Sequence, residues 1–229
     1  MFQDPFALKS YPKWHPKRLV PAVRWRLQNM TARRRFDRYA IEHKTLEEVV
    51  EAPSAAWDDT AVTPFQARYL LTALRQTEDM SRTVVVEIGS FRGVTTRYLA
   101  QNTDRRVIAI DPFLGGYGGY EEDLVKFKQN TQDLPNVIFQ RATSGEAFSH
   151  WSLGSISFVF IDAEHNYANV SYDRQVWSSL VCPHGMVAMH DIDSRIYAGA
   201  RRAAFEGLRT MDLYARVDNL VILRKRAGT

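Results

Sequence analysis

Cysteine is nearly absent from this sequence: Cys182 is the only one among 229 residues, so no internal disulfide can form. No apolar run approaches the ~18 residues that cross a membrane. No apolar core of a signal peptide follows the basic N-terminal stretch. A chain of this length buries roughly 70% of its unfolded surface and needs no covalent staples. These absences exclude a disulfide scaffold, and we expect a soluble, cytoplasmic protein.

Acidic residues are scarce at the start of the chain. Residues 1–38 carry ten Lys or Arg and only two Asp, whereas the rest of the chain carries 20 basic and 24 acidic residues. After Pro21, the apolar residues Val23, Leu27 and Met30 recur at helical spacing with arginines between them. Such a helix could lie on an anionic membrane surface or on another polyanion. The simpler interpretation is a solvated helix that packs on the body of the protein or on a second subunit of a homo-oligomer.

From residue 83 the chain alternates short apolar runs with helical patterns. Strands are predicted at 84–88, 107–110, 137–140, 156–161 and 186–189. Helices are predicted at 94–101, 120–132, 168–181 and 197–208. The alternation predicts an α/β fold with a doubly wound, mostly parallel sheet. Two final apolar runs about a turn at Asp218 and Asn219 predict an antiparallel β-hairpin, which brings the sheet to seven strands.

Three regions are expected along the chain. Residues 1–40 form the basic arm, residues 41–80 a helical segment and residues 81–229 the α/β domain. A short helix is predicted at 41–50. A second helix has clear start signals, namely a capping residue, a proline and a glutamine at Thr63, Pro64 and Gln66.

The segment "EIGSFRG" lies where the first strand ends and the next helix begins. Gly89 and Gly93 let the backbone pass close to a ligand, and free N–H groups at the helix start suit a carboxylate or a phosphate. Glu87 and Thr95 add a carboxylate and a hydroxyl. Asp111 ends the second strand 22 residues after Gly89, about the interval at which an acid binds ribose hydroxyls. Together these residues predict a site for an adenosine-containing ligand.

The glycine spacing distinguishes between two kinds of adenosine-containing ligand, those with a pyrophosphate and those without one. Dinucleotide-binding loops read G-x-G-x-x-G, and the second glycine admits a pyrophosphate. Here Phe91 stands where that glycine would be. The loop therefore favours a ligand without a pyrophosphate.

Four motifs occur in order, "EIGSFRGVTT", "AIDPF", "FIDAEHNY" and "HGMVAMHD". With them, residues 60–225 resemble class I S-adenosylmethionine-dependent methyltransferases, most closely a small bacterial O-methyltransferase-like family. The resemblance implies a Rossmann-like methyltransferase fold and S-adenosylmethionine as cofactor. Glu87 and the glycines would hold its methionine end, Asp111 its ribose, and Thr143 and Ser144 would lie near its adenine. The full implied set is Glu87, Gly89, Ser90, Gly93, Thr95, Asp111, Thr143 and Ser144.

The sequence departs from the family pattern in two places. Thr95 stands where the family often has serine, which keeps the hydroxyl. His184 lies in a Pro-His-Gly turn where two glycines are usual. Methyltransferases that act on adenine or cytosine usually carry an Asn-Pro-Pro-Tyr-like motif after the fourth strand. This sequence has no such motif there. Its absence disfavours methylation of a nucleic-acid base.

Acids and histidines follow the fourth and fifth strands, whose ends should face the same crevice. Carboxylates about 4 Å apart repel each other by on the order of 4 kcal/mol at an effective dielectric of ~20. A raised pKa, a cationic neighbour or a divalent ion can relieve that repulsion. The resemblance implies the third route, with Mg²⁺ held by an acid after each strand. The candidate ligands are Asp162 and Asp191, completed by Glu164 or Asp193.

The favoured reaction is methyl transfer from S-adenosylmethionine to a hydroxyl of a small molecule, such as a sugar or a natural-product intermediate. The hydroxyl proton would pass to His165 or to a metal-bound carboxylate such as Asp162, and His190 is a further catalytic candidate. One rival is a methyltransferase of RNA or another polyanion, guided by the basic arm. The other is a non-catalytic module that keeps the fold.

Overall fold

Short buried aliphatic runs and amphipathic helices alternate through the body of the protein. The computed structural model describes residues 12, 14–42, 59–115, 119–192 and 199–228. The helices are α1 Pro16–Glu42, α2 Pro64–Arg75, α3 Val94–Ala100, α4 Glu121–Thr131, α5 Ser144–Ser149, α6 Tyr167–Leu180 and α7 Ala200–Gly207. The strands are β1 Val84–Ile88, β2 Val107–Ile110, β3 Val137–Gln140, β4 Ile156–Ile161, β5 Val181–Met189, β6 Met211–Val217 and β7 Leu220–Lys225.

The seven strands form one sheet in the order β3-β2-β1-β4-β5-β7-β6. The first five are parallel, and the hairpin of β6 and β7 adds two antiparallel strands beside β5. The doubly wound sheet and its closing hairpin are therefore confirmed. The order in which strands are added to the sheet reverses at β1, because β2 and β3 lie on one side of it and β4 and β5 on the other. The crevice at such a reversal is where open α/β sheets bind ligands.

Alternate residues of the central strands supply two separate cores. Val84, Val86 and Ile88 face a core that also contains Trp177 of α6 and Phe36 of α1. The opposite face packs on α2 and α3 and contains another large buried cluster. Both faces of the sheet are thus covered, which explains why the strands are continuous apolar runs.

Helix α1 begins earlier than the sequence pattern predicts. It starts at Pro16 and includes Pro21, where the predicted helix begins only after Pro21. Pro21 is the sixth residue of α1, beyond the first four N–H groups that have no partner inside the helix, so it costs the helix one backbone hydrogen bond. Packing offsets that cost, since Ala32 and Phe36 are buried and Trp25 contacts the body. From Pro16 onward, the basic arm is therefore a helix docked on the domain.

Two other elements differ from the predictions. Strand β5 begins at Val181, five residues early, and contains an irregular stretch in which His184 has a φ of 66°. The turn thus keeps its shape with His184 where a glycine is usual. The helix predicted at 197–208 is observed at Ala200–Gly207. The helix predicted at 41–50 falls almost wholly on residues outside those described.

The start of α2 agrees with the sequence. The Thr63 side chain accepts from the Gln66 N–H, and the Gln66 side chain accepts from the Thr63 N–H. This reciprocal cap is the one that the Thr-Pro-Phe-Gln pattern predicts. Within the described part of the chain, no helix has both the length and the apolar character needed to cross a bilayer.

The chain passes very close to itself where β1 ends. Gly89 has a φ of 87°, and a Cβ at this position would lie 2.3 Å from the backbone oxygen of Asp162. Backbone atoms cannot move aside as a flexible side chain can. Gly89 is therefore required by the contact between the loop after β1 and the loop after β4.

We predict that Gly89→Ala lowers the free energy of unfolding by at least about 3 kcal/mol, because left-handed strain and a backbone clash add. The matched control is Gly154→Ala. Gly154 also has a left-handed φ, of 94°, but nothing lies within 4 Å of its added Cβ. We expect that variant to lose only about 1 kcal/mol in urea unfolding. Equal losses in the two variants would show that the close approach is unimportant.

Candidate functional site

A cavity of about 550 Å³ lies at the carboxyl ends of β1, β2, β4 and β5. Its walls come from the loop after each of these strands, from the start of α5, from α6 and from the segment before α2. Residues lining it include all eight of the expected cofactor set. A cavity of this size is typical of sites that bind a ligand of drug or nucleoside size.

The glycine loop forms one wall of this cavity. Gly93 has a φ of 75°, and its Cβ would lie 2.8 Å from the Phe127 ring of α4. Phe91 adopts a φ of 44° between the two glycines. Arg92 anchors the loop, because its Nε donates to Asp123 at 2.7 Å and its guanidinium also pairs with Asp59. Gly89 and Gly93 thus allow close contacts with neighbouring segments, and these contacts fix the loop at the cavity wall.

Glu87 is a buried carboxyl beneath the glycine loop. It is 1% exposed and accepts a hydrogen bond from the Thr96 hydroxyl. Burial raises the pKa of Glu87 to about 8, since the Thr96 hydrogen bond offsets only part of the desolvation. The neighbouring hydroxyl of Thr95 lies 3.3 Å from the hydroxyl of Thr60, which precedes α2.

Asp111 joins the glycine loop to the loop after β2. Its Oδ2 accepts from the Phe91 N–H at 3.0 Å, and its Oδ1 accepts from the Phe113 N–H at 2.9 Å. Burial raises the pKa of Asp111, and these two backbone hydrogen bonds oppose the rise. Each oxygen keeps acceptor capacity beyond one N–H bond, so the carboxylate can also receive hydroxyl donors from the cavity.

The far end of the cavity contains a buried polar chain. Trp177 Nε1 donates to the Ser144 hydroxyl at 2.8 Å, and that hydroxyl donates to Asp173 on α6. Asp173 is 3% exposed, and burial raises its pKa to about 6. Thr143 caps α5 through a reciprocal pair with Glu146. The sequence analysis missed α5, although Thr-Ser-Gly-Glu carries the capping signal.

Asp162, His165 and Asp191 form a compact cluster at the opposite end. One possible ligand atom from each of the three lies within 4.8 Å of the others. His165 Nε2 is 3.3 Å from Asp191 Oδ2 and 4.0 Å from Asp162 Oδ1. Glu164 lines the cavity but is not a member of this cluster. Asp193 lies outside the described residues.

His190 lies behind that cluster and is almost fully buried, at 2% exposure. Its Nδ1 is 3.2 Å from Asp162 Oδ1, and its Nε2 is 3.2 Å from Gln66 Oε1. Gln66 Oε1 also accepts from the Thr63 N–H. A carbonyl oxygen only accepts, so His190 Nε2 must carry a proton.

The orientation of the two amides completes a closed ring of polar groups. The Gln66 amide nitrogen donates to Asn219 Oδ1, and Asn219 Nδ2 donates to Asp191 Oδ1 at 2.6 Å. Asn219 belongs to the turn between β6 and β7. The ring therefore ties the cap of α2 and the hairpin turn to the acids of the site.

His190 faces one acceptor on each ring nitrogen, because an ionised Asp162 also only accepts. Burial lowers the pKa of His190. The hydrogen bond to Asp162 and the charges of Asp162 and Asp191 outweigh that effect, so the pKa lies above its ordinary value. The geometry thus favours the protonated form of His190, whose charge compensates the nearby carboxylates.

Three participants were not singled out as site residues by the sequence analysis: Gln66, Asn219 and Asp173. Gln66 was recognised only as a helix cap, and Asn219 only as part of a turn. Each makes its site contact across more than 25 residues of chain. Only the fold reveals such contacts.

Comparisons with known proteins identify the kind of domain that contains this cavity. Residues 86–192 match a family profile described as a methyltransferase domain. No curated protein matches the chain. The matched segment runs from β1 to the residue after Asp191, so it includes both the glycine loop and the acid cluster.

Solved structures show the same fold at low identity. The O-methyltransferase TomG from Streptomyces achromogenes has a TM-score of 0.56 at 15% identity, covering 75% of this chain and 83% of that one. An O-methyltransferase from Bacillus cereus has a TM-score of 0.53 at 14% identity, covering 85% and 91%. An rRNA methylase from Streptococcus thermophilus has a TM-score of 0.52 at 18% identity, covering 73% and 98%. Residues 86–192 therefore resemble a methyltransferase domain, and the chain shares the fold of these methyltransferase structures.

Proposed function

We propose that this enzyme transfers a methyl group from S-adenosylmethionine to a hydroxyl of a small molecule. One observation carries the proposal: a single cavity joins a glycine loop and Asp111 at one side to an acid and histidine cluster at the other. TomG and the Bacillus cereus enzyme are described as O-methyltransferases in complex with S-adenosylmethionine and its demethylated product.

The residues present fit the cofactor. The fixed loop around Gly89 and Gly93 would hold its methionine end, with Thr95 near the carboxylate. Asp111 would accept from the ribose hydroxyls, because it is buried, faces the cavity and keeps acceptor capacity. The loop at Thr143 and Ser144 would line the adenine site. When bound, S-adenosylmethionine supplies an electrophilic methyl group on a sulfonium.

The acceptor would lie beside the cluster of Asp162, His165 and Asp191. A hydroxyl must lose its proton as it attacks the methyl group in line, and a positioned imidazole can take that proton. His165 is suited to this role, since Asp191 at 3.3 Å stabilises the imidazolium that forms. His190 is turned away from the cavity, so we assign it an orienting role for Asp162.

A divalent ion also fits the donor set of this cluster. Asp162, Asp191 and His165 would hold it, and it would supply Lewis-acid stabilisation of an ionised hydroxyl. An imidazole among the ligands suits Mn²⁺ better than Mg²⁺. The two versions are exclusive, because His165 Nε2 cannot both bind a cation and take a proton. We favour the version without metal, since His190 already compensates the carboxylates.

The charges around the cavity favour a small acceptor over RNA. The only Lys or Arg among the described lining residues is Arg92, and it is paired with Asp123 and Asp59. Three acids at the acceptor end would repel a phosphate backbone. The fold of the Streptococcus thermophilus rRNA methylase is similar, so fold alone does not select the acceptor.

The cofactor site is tested by calorimetry with S-adenosylhomocysteine. We expect Asp111→Asn to weaken Kd at least tenfold, because an amide offers one acceptor fewer and no charge. The 2′,3′-dideoxy form of the ligand should weaken binding to the wild type by a similar factor but should not weaken the variant further. Asp133→Asn, an exposed acid paired with Arg97, serves as the control that leaves Kd unchanged. No binding by the wild type would favour the non-catalytic alternative.

The metal alternative is tested with Mn²⁺ alone, titrated into the complex with S-adenosylhomocysteine. We expect no binding tighter than about 1 mM, because the nearby imidazolium of His190 repels a second cation. His190→Gln should raise the Mn²⁺ affinity at least tenfold by removing that charge. Micromolar binding to the wild type that Asp191→Asn abolishes would instead establish the metal-assisted version.

A pH dependence follows from the buried carboxyl of Asp173. Its pKa is about 6 in the folded protein and 3.8 when unperturbed, so the folded state binds its proton more tightly. The contribution to stability is present below about pH 3.8 and is lost as pH rises through about 6. We therefore expect Asp173→Asn to gain up to about 3 kcal/mol relative to the wild type between those pH values.

Urea unfolding across this pH range measures the effect. Asp133→Asn provides a control of opposite sign, because the Arg97 side chain lowers the pKa of Asp133. The wild type should therefore keep its advantage over that variant throughout this range and lose it only as the pH falls below about 3.8. A pH-independent difference between Asp173→Asn and the wild type would contradict burial of an ionisable Asp173.

A further inference from the structure

The outward face of α1 is apolar and basic, and we propose that it docks the enzyme on the surface of an anionic lipid bilayer. This inference goes beyond methyl transfer and uses residues far from the cofactor cavity. It rests on which faces of α1 are buried, on the groove beside α1 and on the positions of its arginines.

One face of α1 packs against the body of the protein. Asn29, Ala32 and Phe36 are buried, and the Trp25 ring packs edge-on against Tyr167 with centroids 4.8 Å apart. Near its end, the helix is pinned by Asp37, which accepts from two arginines of the body. The rotation of α1 about its own axis is therefore fixed.

The opposite face is apolar and exposed. At 100° per residue, five apolar residues between positions 19 and 30 fall in a sector of about 100° opposite the buried face, and Arg34 and Arg38 share that sector further along the helix. The exposed fractions of the five apolar residues run from 46% to 62%. These residues are Leu19, Val20, Val23, Leu27 and Met30. Helix α1 thus has apolar residues on two opposite sides, and the domain covers only one of these sides.

A groove of about 720 Å³ runs between this face and α7. Val23 and Leu27 of α1 and Phe205 of α7 contribute apolar walls. Arg24, Arg35, Arg202 and Arg209 also line it, together with Glu206, which forms an ion pair with Arg202. An apolar floor with cationic edges is suited to the boundary between lipid headgroups and acyl chains.

Arginines flank the apolar sector on both sides. Arg24 and Arg35 fall on one flank, and Arg26 and Arg33 on the other. All four are exposed, and none forms an ion pair with an acid in the described part of the chain. Each basic residue near an anionic bilayer contributes about 1 kcal/mol of attraction.

Charge decides among the possible occupants of this face. A second copy of the chain would set arginines against arginines, which disfavours self-association. A nucleic acid would satisfy the arginines but leave the apolar sector in water. An anionic bilayer satisfies both, since headgroups pair with arginine while apolar side chains enter the acyl boundary.

Flotation of the full-length protein with vesicles tests the proposal. We expect binding to vesicles of phosphatidylcholine with 30% phosphatidylglycerol, and at least tenfold weaker binding to phosphatidylcholine alone. The triple variant Val20→Gln, Val23→Gln and Leu27→Gln should weaken binding at least tenfold. Arg24→Gln with Arg35→Gln should weaken it and reduce its salt dependence.

Val125→Gln is the matched control, because Val125 is 54% exposed on α4, away from this face. It should bind vesicles as the wild type does. Unchanged affinity for S-adenosylhomocysteine would confirm that every variant is folded. The proposal is overturned if the wild type ignores anionic vesicles, or if the apolar triple variant binds them normally. It is also overturned if sedimentation shows a dimer that the triple variant abolishes.

Discussion

The site depends on how closely two backbone segments approach at the end of the sheet. Gly89 meets the Asp162 carbonyl where any Cβ would collide with it. The Asp162 N–H donates to the Ile88 carbonyl at 2.8 Å, and the Gly89 N–H donates to the Ile110 carbonyl at 2.9 Å. Three strand ends are thereby held in one row. The glycine loop, Asp111 and Asp162 share this single constraint, so their relative positions follow from it.

A second level of order comes from hydrogen bonds of fixed direction. The Thr63 N–H donates to the side-chain oxygen of Gln66, which identifies that atom as an acceptor. His190 Nε2 faces the same oxygen and therefore carries a proton. The Gln66 amide nitrogen then orients Asn219, and Asn219 orients Asp191. Helix α2 and the terminal hairpin thus orient the acids at the cavity, although neither Gln66 nor Asn219 lines it. The mutual repulsion of the carboxylates is relieved from within the fold by His190.

The sequence predicted what local pattern determines and missed what needs packing. The continuous apolar runs identified the strands, and Thr63 with Gln66 identified the start of α2. Pro21 misplaced the start of α1, because local rules treat proline as a break whereas packing of Phe36 stabilises the helix. Helix α5 was missed because six residues are too few to show a helical period. The ring through Gln66 and Asn219 joins residues 153 positions apart, and no local signal encodes such a contact.

Helix α1 shows why helical periodicity alone cannot tell which face of a helix is buried. Residues such as Val23 and Leu27 recur at helical spacing, which ordinarily identifies the face that packs on the protein. In this helix the packed face is instead carried by Ala32 and Phe36, and the more regular apolar sector is exposed. Basic and acidic residues, which are concentrated in different parts of the sequence, also lie in different parts of the structure. Basic residues flank the exposed sector of α1, whereas acids gather at the cavity. A surface that attracts anions is thus kept apart from a site whose carboxylates would repel them, so attachment to a polyanionic surface and binding of a small acceptor need not compete.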